Sequence, residues 1–241
     1  MKYDFTWQVS IIIVTYNAER HIGNCLNSVI EHKSHDTEII IVDGKSTDNT
    51  LEIIKRYAKY IHKVVSEKDR GIYDAMNKGI QLAEGRFIYF LGADDLLMMS
   101  IDELNGALLE STTIYYGDVL LLPKRTIYGG VFTKSKLLNR NICHQSIFYP
   151  AAVLKQYSFN CKYQLMADYE MNLRLWASPQ YTYKYINQTI AAYSIEGASS
   201  IKRDIAFKKD VWKLIYQFFG IYGLLIKAFN PVRNILFQKS L

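Results

Sequence analysis

Several things are scarce in this chain of 241 residues. Its three cysteines, Cys25, Cys143 and Cys161, are too few and too scattered for a disulfide framework or a cysteine-rich zinc site, and an odd count fits a reducing compartment. The opening MKYDFTWQVS holds no apolar run of signal-peptide type. Both absences predict a cytoplasmic protein. No linker rich in Pro, Gly or Ser precedes residue 200, and no internal repeat or low-complexity segment is present. A chain of this length, nearly half apolar, can bury a full core as one folded unit with an appendage.

Two nucleotide-binding signatures are also missing. In IVDGKSTDNT the Gly44-Lys45-Ser46 triplet suggests a P-loop, but the glycine that must stand five residues before Gly44 is Ile39, inside an apolar run. The loop is too short to cradle phosphates. No Gly-x-Gly-x-x-Gly follows the first apolar run either, which disfavours a Rossmann dehydrogenase.

Charge is unevenly placed. From Ile201 onward eight basic residues face two acidic ones, which accounts for the whole net charge of +6. The basic character therefore belongs to a tail rich in Trp, Tyr, Phe and Leu, a pairing that suits an anionic membrane surface and not a nucleic acid. Within it, thirteen residues, Leu214 to Ile226, separate Lys213 from Lys227, whereas spanning a bilayer takes about 20 apolar residues. The tail is expected to lie on a membrane or pack on the body, not to cross a bilayer.

What is present is an alternation of strand and helix patterns. VSIIIV (Val9 to Val14) reads as a strand buried on both faces, and Asn17 is placed to cap a helix carrying Ile22, Leu26, Val29 and Ile30. Glu38 to Val42 is a second strand, followed by a helix bearing Leu51, Ile54, Ala58 and Ile61 with Ser46 or Thr47 as its cap. A weak strand at Lys63 to Ser66, a helix with Ile72, Ala75, Met76 and Ile80, and a strand from Arg86 to Leu91 complete the first half. Such alternation predicts a mainly parallel sheet that binds ligands beyond the carboxyl ends of its strands. Further on, Ser100 and Glu103 form a capping-box pattern for a helix to about Glu110. Short strands in TIYYGDVLLL, HQSIFY and YTYKYI then mix with a helix in DYEMNLRLW, a less regular second half.

Three constellations carry chemistry. FLGADD places Asp94 and Asp95 just past a buried strand, either as a polar turn or as oxygen ligands for Mg²⁺ or Mn²⁺ against a diphosphate. Asp69, Arg70, Asn77 and Lys78 lie on the loop and helix leading into that strand, either as a solvated face or as groups offered to a nucleotide. In MADYEMNLRLW, Asp168 is either a helix N-cap or a functional carboxylate.

Taken together, VSIIIVTYNAE, IVDGKSTDNT, SEKDRGIYDAMNKG, FLGADD, NICHQSIFYP and ADYEMNLRLW resemble, in order and spacing, family 2 glycosyltransferases of the GT-A fold, and most closely bacterial enzymes of O-antigen and capsule assembly. The resemblance runs from about Val9 to Ser200. It implies an α/β GT-A fold, with a Rossmann-like nucleotide-sugar half at 1–99, a mixed acceptor half at 100–200 and an amphipathic helical tail at 201–241. It also implies an inverting, metal-dependent transfer from a nucleotide sugar, foremost a UDP-sugar, to a glycan or lipid-linked glycan. By the same resemblance Thr15, Tyr16, Asn17 and Glu19 border the nucleoside, Asp43 contacts the base, and Asp69, Asn77 and Lys78 join the donor site. Asp94 then binds Mn²⁺ or Mg²⁺, and Asp168 is the general base. His144 and Gln145 line the acceptor side, with Tyr193 and the loop Gly197, Ala198, Ser199, Ser200 as further candidates. Two positions depart from the family pattern: Gly44 and Gly92 stand where many relatives carry an acid. These departures leave a catalytically silent nucleotide-binding or scaffold protein as the alternative, with a nucleotidyltransferase behind it.

Overall fold

The computed structural model describes residues 5–104, 106–195 and 203–229. Its first half runs β1 (Trp7–Thr15), α1 (Ile22–His32), β2 (Thr37–Asp43), α2 (Thr50–Lys55), β3 (Lys63–Ser66), α3 (Ile72–Leu82) and β4 (Gly85–Gly92). These four strands pair in parallel in the order β3-β2-β1-β4. The physical basis is the unbroken Ile and Val content of β1 and β2, since a strand covered on both faces can be apolar at every position. Alternate side chains divide between two cores. Ile12, Val14, Ile40, Val42, Ile88 and Phe90 join one with α3, while Ile11, Ile13, Ile39, Ile41, Tyr89 and Leu91 join the other with α1. Each such fully buried aliphatic side chain contributes about 2 kcal/mol relative to leaving it in water.

The second half extends the same sheet with other polarities. It contains β5 (Leu96–Leu97), β6 (Thr113–Leu122), β7 (Thr126–Tyr128), α4 (Lys134–Asn139), β8 (Ile147–Pro150), α5 (Ala151–Gln156), α6 (Ala167–Ala177), β9 (Thr182–Ser194) and α7 (Ile205–Phe229). Strand β8 pairs antiparallel with both β4 and β6, β9 lies parallel to β6, β5 pairs antiparallel with β9, and β7 forms a hairpin with β6. One nine-stranded sheet thus runs through both halves. The arrangement is the expected α/β GT-A class: a parallel nucleotide-binding type of half continued by a mixed one.

Four local expectations are corrected. Asn17 does not cap α1; its side chain accepts from Thr47 N at 2.8 Å, and the helix begins after a turn, with His21 as its first flanking residue. The second helix ends at Lys55, because Arg56, Tyr57 and Ala58 donate to carbonyls three residues back, so Ala58 and Ile61 follow in turns. Its flanking residue is Asn49, while Ser46 and Thr47 are spent on Asp43 and Asn17. Ser100 and Glu103 start a single 3₁₀ turn, Ile101–Leu104, and not a helix to Glu110; Gly106 disfavours continuation by about 1 kcal/mol. In HQSIFY the first three residues form a 3₁₀ turn and the strand starts at Ile147.

Candidate active site

The registers Val14↔Val42, Thr15↔Asp43 and Val14↔Gly92 set the carboxyl ends of β1, β2 and β4 side by side. Loops from all three strands therefore share one rim.

On its β1–β2 side, the rim is held by a buried carboxylate. Asp43 accepts from Ser46 Oγ, from Ser46 N at 3.0 Å and from Ser66 Oγ at 2.6 Å. The Ser46–Thr50 loop this shapes is stitched to the loop after β1. Asn17 N donates to Ser46 Oγ at 2.8 Å, Ala18 N to Thr50 Oγ1 at 2.8 Å, and Asn49 N to Glu19 Oε2 at 3.0 Å. Asn17 and Lys45 adopt left-handed conformations, with φ of 48° and 67°, to make these turns. Asn17, Glu19 and Asp43 thus act on the protein itself, fixing the shape of the two loops. Three groups are left facing outward or unspent: the Thr15 hydroxyl, buried without a hydrogen-bond partner among the described residues; the exposed Tyr16 ring; and Asp69, whose Oδ1 accepts from Gly71 N at 3.0 Å.

Gly44 explains how these fit. A Cβ there would stand 2.6 Å from Asp69 Oδ2 and 3.3 Å from the Tyr16 ring. Asp69 occupies the space that a side chain at position 44 would need. Asn77 and Lys78 are also engaged internally. Asn77 exchanges hydrogen bonds with the Phe159 backbone, both at 2.9 Å, and Lys78 reaches Lys68 O at 2.9 Å and Glu67 at 3.0 Å.

At the end of β4, Asp95 N donates to Gly92 O at 3.1 Å and closes a turn that presents two carboxylates differently. Asp95 is buried, accepting from Ser194 N at 2.9 Å and from Gln145 Nε2 at 2.8 Å. Burial, with the Asp94 charge beside it, pushes its carboxyl up to about 7. Asp94 is half-buried and has no hydrogen-bond partner among the described residues. A Cβ at Gly92 would fall 2.6 Å from Asp95 Oδ2 and 3.0 Å from Asp94 Oδ1, so the glycine leaves both carboxylates their room. Among the described residues no three His, Cys, Asp or Glu side chains converge on a metal site. One free carboxylate fits a hard cation that takes its remaining oxygens from a diphosphate and water.

The third part of the site is Asp168, in the first turn of α6. It is not the N-cap; Met166 holds that position, and Asp204 accepts from Leu165 N at 2.9 Å and Met166 N at 3.2 Å instead. Asp168 Oδ1 accepts from Tyr73 OH at 2.7 Å and Tyr169 N at 2.8 Å. Its Oδ2 accepts from Asn141 Nδ2 at 2.8 Å and meets His144 Nδ1 at 3.3 Å. Burial, then the Asp168 charge, raises the Tyr73 hydroxyl well above its ordinary range, so it stays a donor. His144 Nε2 is buried and has no hydrogen-bond partner among the described residues.

Consecutive residues connect the last two parts. His144 contacts Asp168 while Gln145 donates to Asp95. The Gln145 amide is oriented by the Cys143 thiol, which donates to its Oε1 at 2.8 Å and which burial keeps protonated. Gln145 is thereby buried as a brace between Cys143 and Asp95. Sequence reasoning missed Tyr73 and Asn141, although Tyr73 stands inside the GIYDAMNKG block and Asn141 inside NICHQSIFYP. Tyr193 lies on β9, partly buried, and Gly197, Ala198, Ser199 and Ser200 fall outside the described residues.

Comparison with known proteins bears on this geometry. Residues 10–115 match the model of glycosyl transferase family 2. Over 200 residues the chain is 36% identical to the PGL/p-HBAD biosynthesis glycosyltransferase of Mycobacterium tuberculosis, covering 79% of this chain and 78% of that protein. Among solved structures, Staphylococcus aureus TarS in complex with UDP-GlcNAc superposes with a TM-score of 0.71 at 17% identity, covering 92% of this chain and 70% of that one. The mannosyltransferase PcManGT of Pyrobaculum calidifontis, in complex with GDP-Man and Mn²⁺, gives 0.65 at 16% identity over 95% and 76%. At such identity the two structures speak to the fold alone. The ordered motifs, the shared rim and the identity over most of both sequences lead to one assignment: the chain belongs to glycosyl transferase family 2.

Proposed function

We propose that this glycosyltransferase is an inverting enzyme that moves a sugar from a nucleotide sugar, foremost a UDP-sugar, to a glycan or lipid-linked glycan acceptor in bacterial surface polysaccharide synthesis. It works in the cytoplasm, at the inner face of the membrane, with residues 1–200 as the transferase unit and 201–241 as its tail. The observation that carries the reading is the His144-Gln145 bridge, which ties the Asp94-Asp95 turn to Asp168. In-line displacement needs the leaving group and the nucleophile held on opposite sides of one carbon, and consecutive residues bonded to both carboxylate sites fix that spacing.

Tyr16, Thr15 and Asp69 face the nucleoside from the rim, on loops shaped by Asn17, Glu19 and Asp43. Asp94, with the donor's diphosphate oxygens, would hold Mn²⁺ or Mg²⁺. Such a cation, when bound, neutralises charge on the departing diphosphate. Asp168 holds and moves the proton. The acceptor hydroxyl approaches Oδ2 beside the long His144 contact at 3.3 Å, which stays in place. As its oxygen bonds to the anomeric carbon, its proton passes to Asp168 and the bond to the nucleoside diphosphate breaks on the opposite face. Tyr73, Asn141 and the Tyr169 amide keep the carboxylate in place throughout. The UDP-GlcNAc named in the TarS complex supports the choice of donor, and the Mn²⁺ named with PcManGT supports the cation.

Incubation with a panel of nucleotide sugars and Mn²⁺ tests the reading. Nucleoside diphosphate should be released from at least one donor, and Asp94→Ala or excess chelator should abolish release. Pyrophosphate as the product, or full turnover in chelator, would overturn it.

A further inference from the structure

Helix α7 takes no part in the chemistry above. It consists of two segments joined at Gly220, whose φ of 64° and ψ of −162° suit glycine alone. In a straight helix Trp212 and Lys227 would stand about 22 Å apart, at 1.5 Å per residue. Instead the Lys227 ammonium lies 5.7 Å from the Trp212 ring, so the second segment folds back beside the first. Phe207, Leu214 and Ile215 face inward onto the core shared with α4 and α6, and Lys227 reaches Leu138 O at 2.8 Å.

The outward side of this helical hairpin is unusual for a surface. Trp212, Tyr216, Ile221, Tyr222, Leu225 and Phe229 are each between 48% and 79% exposed. Large exposed apolar side chains that recur four residues apart, as Trp212 and Tyr216 do on the first segment and Ile221, Leu225 and Phe229 on the second, mark a surface that is covered in use. The charges single out what covers it. Lys208, Lys209 and Lys213 are exposed beside the patch. Both acids of the described tail turn to the body instead: Asp204 accepts from the Leu165 and Met166 amides, and Asp210 pairs with Lys162 and Tyr163. Among the described residues of the tail the outward face is therefore apolar and basic, with neither acid turned toward it.

We infer that the outward face of the α7 hairpin docks onto an anionic bilayer surface. Its aromatic and aliphatic side chains enter the headgroup layer and its three lysines meet lipid phosphates. Among the described residues no helix is long and apolar enough to cross a membrane, so the hairpin lies on the surface. Asp204, at the head of α7, holds the turn that leads into Asp168, which fixes the docked face relative to the acceptor end of the site. Resting on the transferase reading, this placement presents Asp168 to an acceptor whose lipid anchor lies in the same bilayer.

The full-length protein should co-sediment with vesicles of phosphatidylcholine mixed with phosphatidylglycerol and not with phosphatidylcholine alone. A lysine near an anionic surface is worth about fivefold in affinity, so Lys208→Gln, Lys209→Gln and Lys213→Gln together should weaken binding about 100-fold. Tyr216→Glu with Leu225→Glu should abolish it, with melting temperature and donor hydrolysis unchanged. Donor hydrolysis on the same preparation reads the transferase assignment separately from docking. Absence of vesicle binding, equal binding by the glutamate variant, or a vesicle-free dimer that Tyr216→Glu dissociates would overturn the inference, the last in favour of a second copy on this face.

Discussion

Asp43 and Asp168 are both buried carboxylates at the mouth of the site, yet they are built from different materials. Asp43 draws its donors from Ser46, three residues on, and from Ser66 in the adjacent region of β3. Asp168 takes one donor from the adjacent Tyr169 amide, but the others come from two distant segments: Tyr73, 95 residues away, and the stretch that carries Asn141 and His144. The rim proposed for the donor is thus a local construction hung on parallel strands, and the Asp168 side proposed for the acceptor is a tertiary one. The difference predicts that damage to Asp43 acts through loop shape and stability, whereas damage to Asp168 acts through the chemical step.

The largest expected effect is at Asp168. Asp168→Asn keeps the side chain's size and one acceptor oxygen for Tyr73 and Tyr169 but sets an amide against Asn141 Nδ2, so stability should fall by about 1–3 kcal/mol while donor affinity stays near wild type. Sugar transfer should fall by about 10²–10⁴-fold, the usual worth of a general base. Isothermal titration with donor alongside a turnover assay separates the two. Transfer within about tenfold of wild type, a barrier change of about 1.4 kcal/mol, would make Asp168 a scaffold residue like Asp43 and erase the contrast.

Next in size is Asp43→Ala. It removes the acceptor of the half-buried Ser46 amide and hydroxyl and of the exposed Ser66 hydroxyl, which should lower stability by about 1–2 kcal/mol in urea denaturation. Donor affinity should drop with it, because the Ser46–Thr50 loop loses its anchor. Retained stability together with lost donor binding would mean that Asp43 meets the base directly. The smallest effect is at Gly44. An added methyl must displace Asp69 Oδ2 at 2.6 Å, so Gly44→Ala should weaken donor binding about tenfold, with little change in global stability. Unchanged affinity in both Gly44→Ala and Asp69→Asn would remove Asp69 from the donor site.

The same contrast decides how much could be read in the sequence. The strands of the parallel half were legible because burial on both faces demands unbroken β-branched runs, and Ile39 to Val42 can be little else. The carboxylates at their ends were legible as positions for the same reason. Their partners were not. Nothing in the spacing of Gln145 and Asp95, 50 residues apart, announces a hydrogen bond, since the antiparallel insertion of β8 beside β4 brings them together. The Ser100-Glu103 pattern misled because a local capping signal cannot outweigh Gly106 and the pull of Ile101 and Leu104 into the core. In the tail, hydrophobic spacing showed an amphipathic helix, but only the contact of Lys227 with Trp212 reveals that it doubles back.

The central claim is that a sugar leaves its nucleotide by displacement from the face opposite the diphosphate, with no covalent enzyme intermediate. It can be tested without knowing the acceptor, because water can serve in its place. With Mn²⁺ and an α-linked UDP-sugar such as UDP-GlcNAc, or whichever UDP-sugar is hydrolysed fastest, proton NMR during the first minutes identifies the anomer released before mutarotation. The account predicts the β anomer first, together with UDP; release of the α anomer first would contradict it.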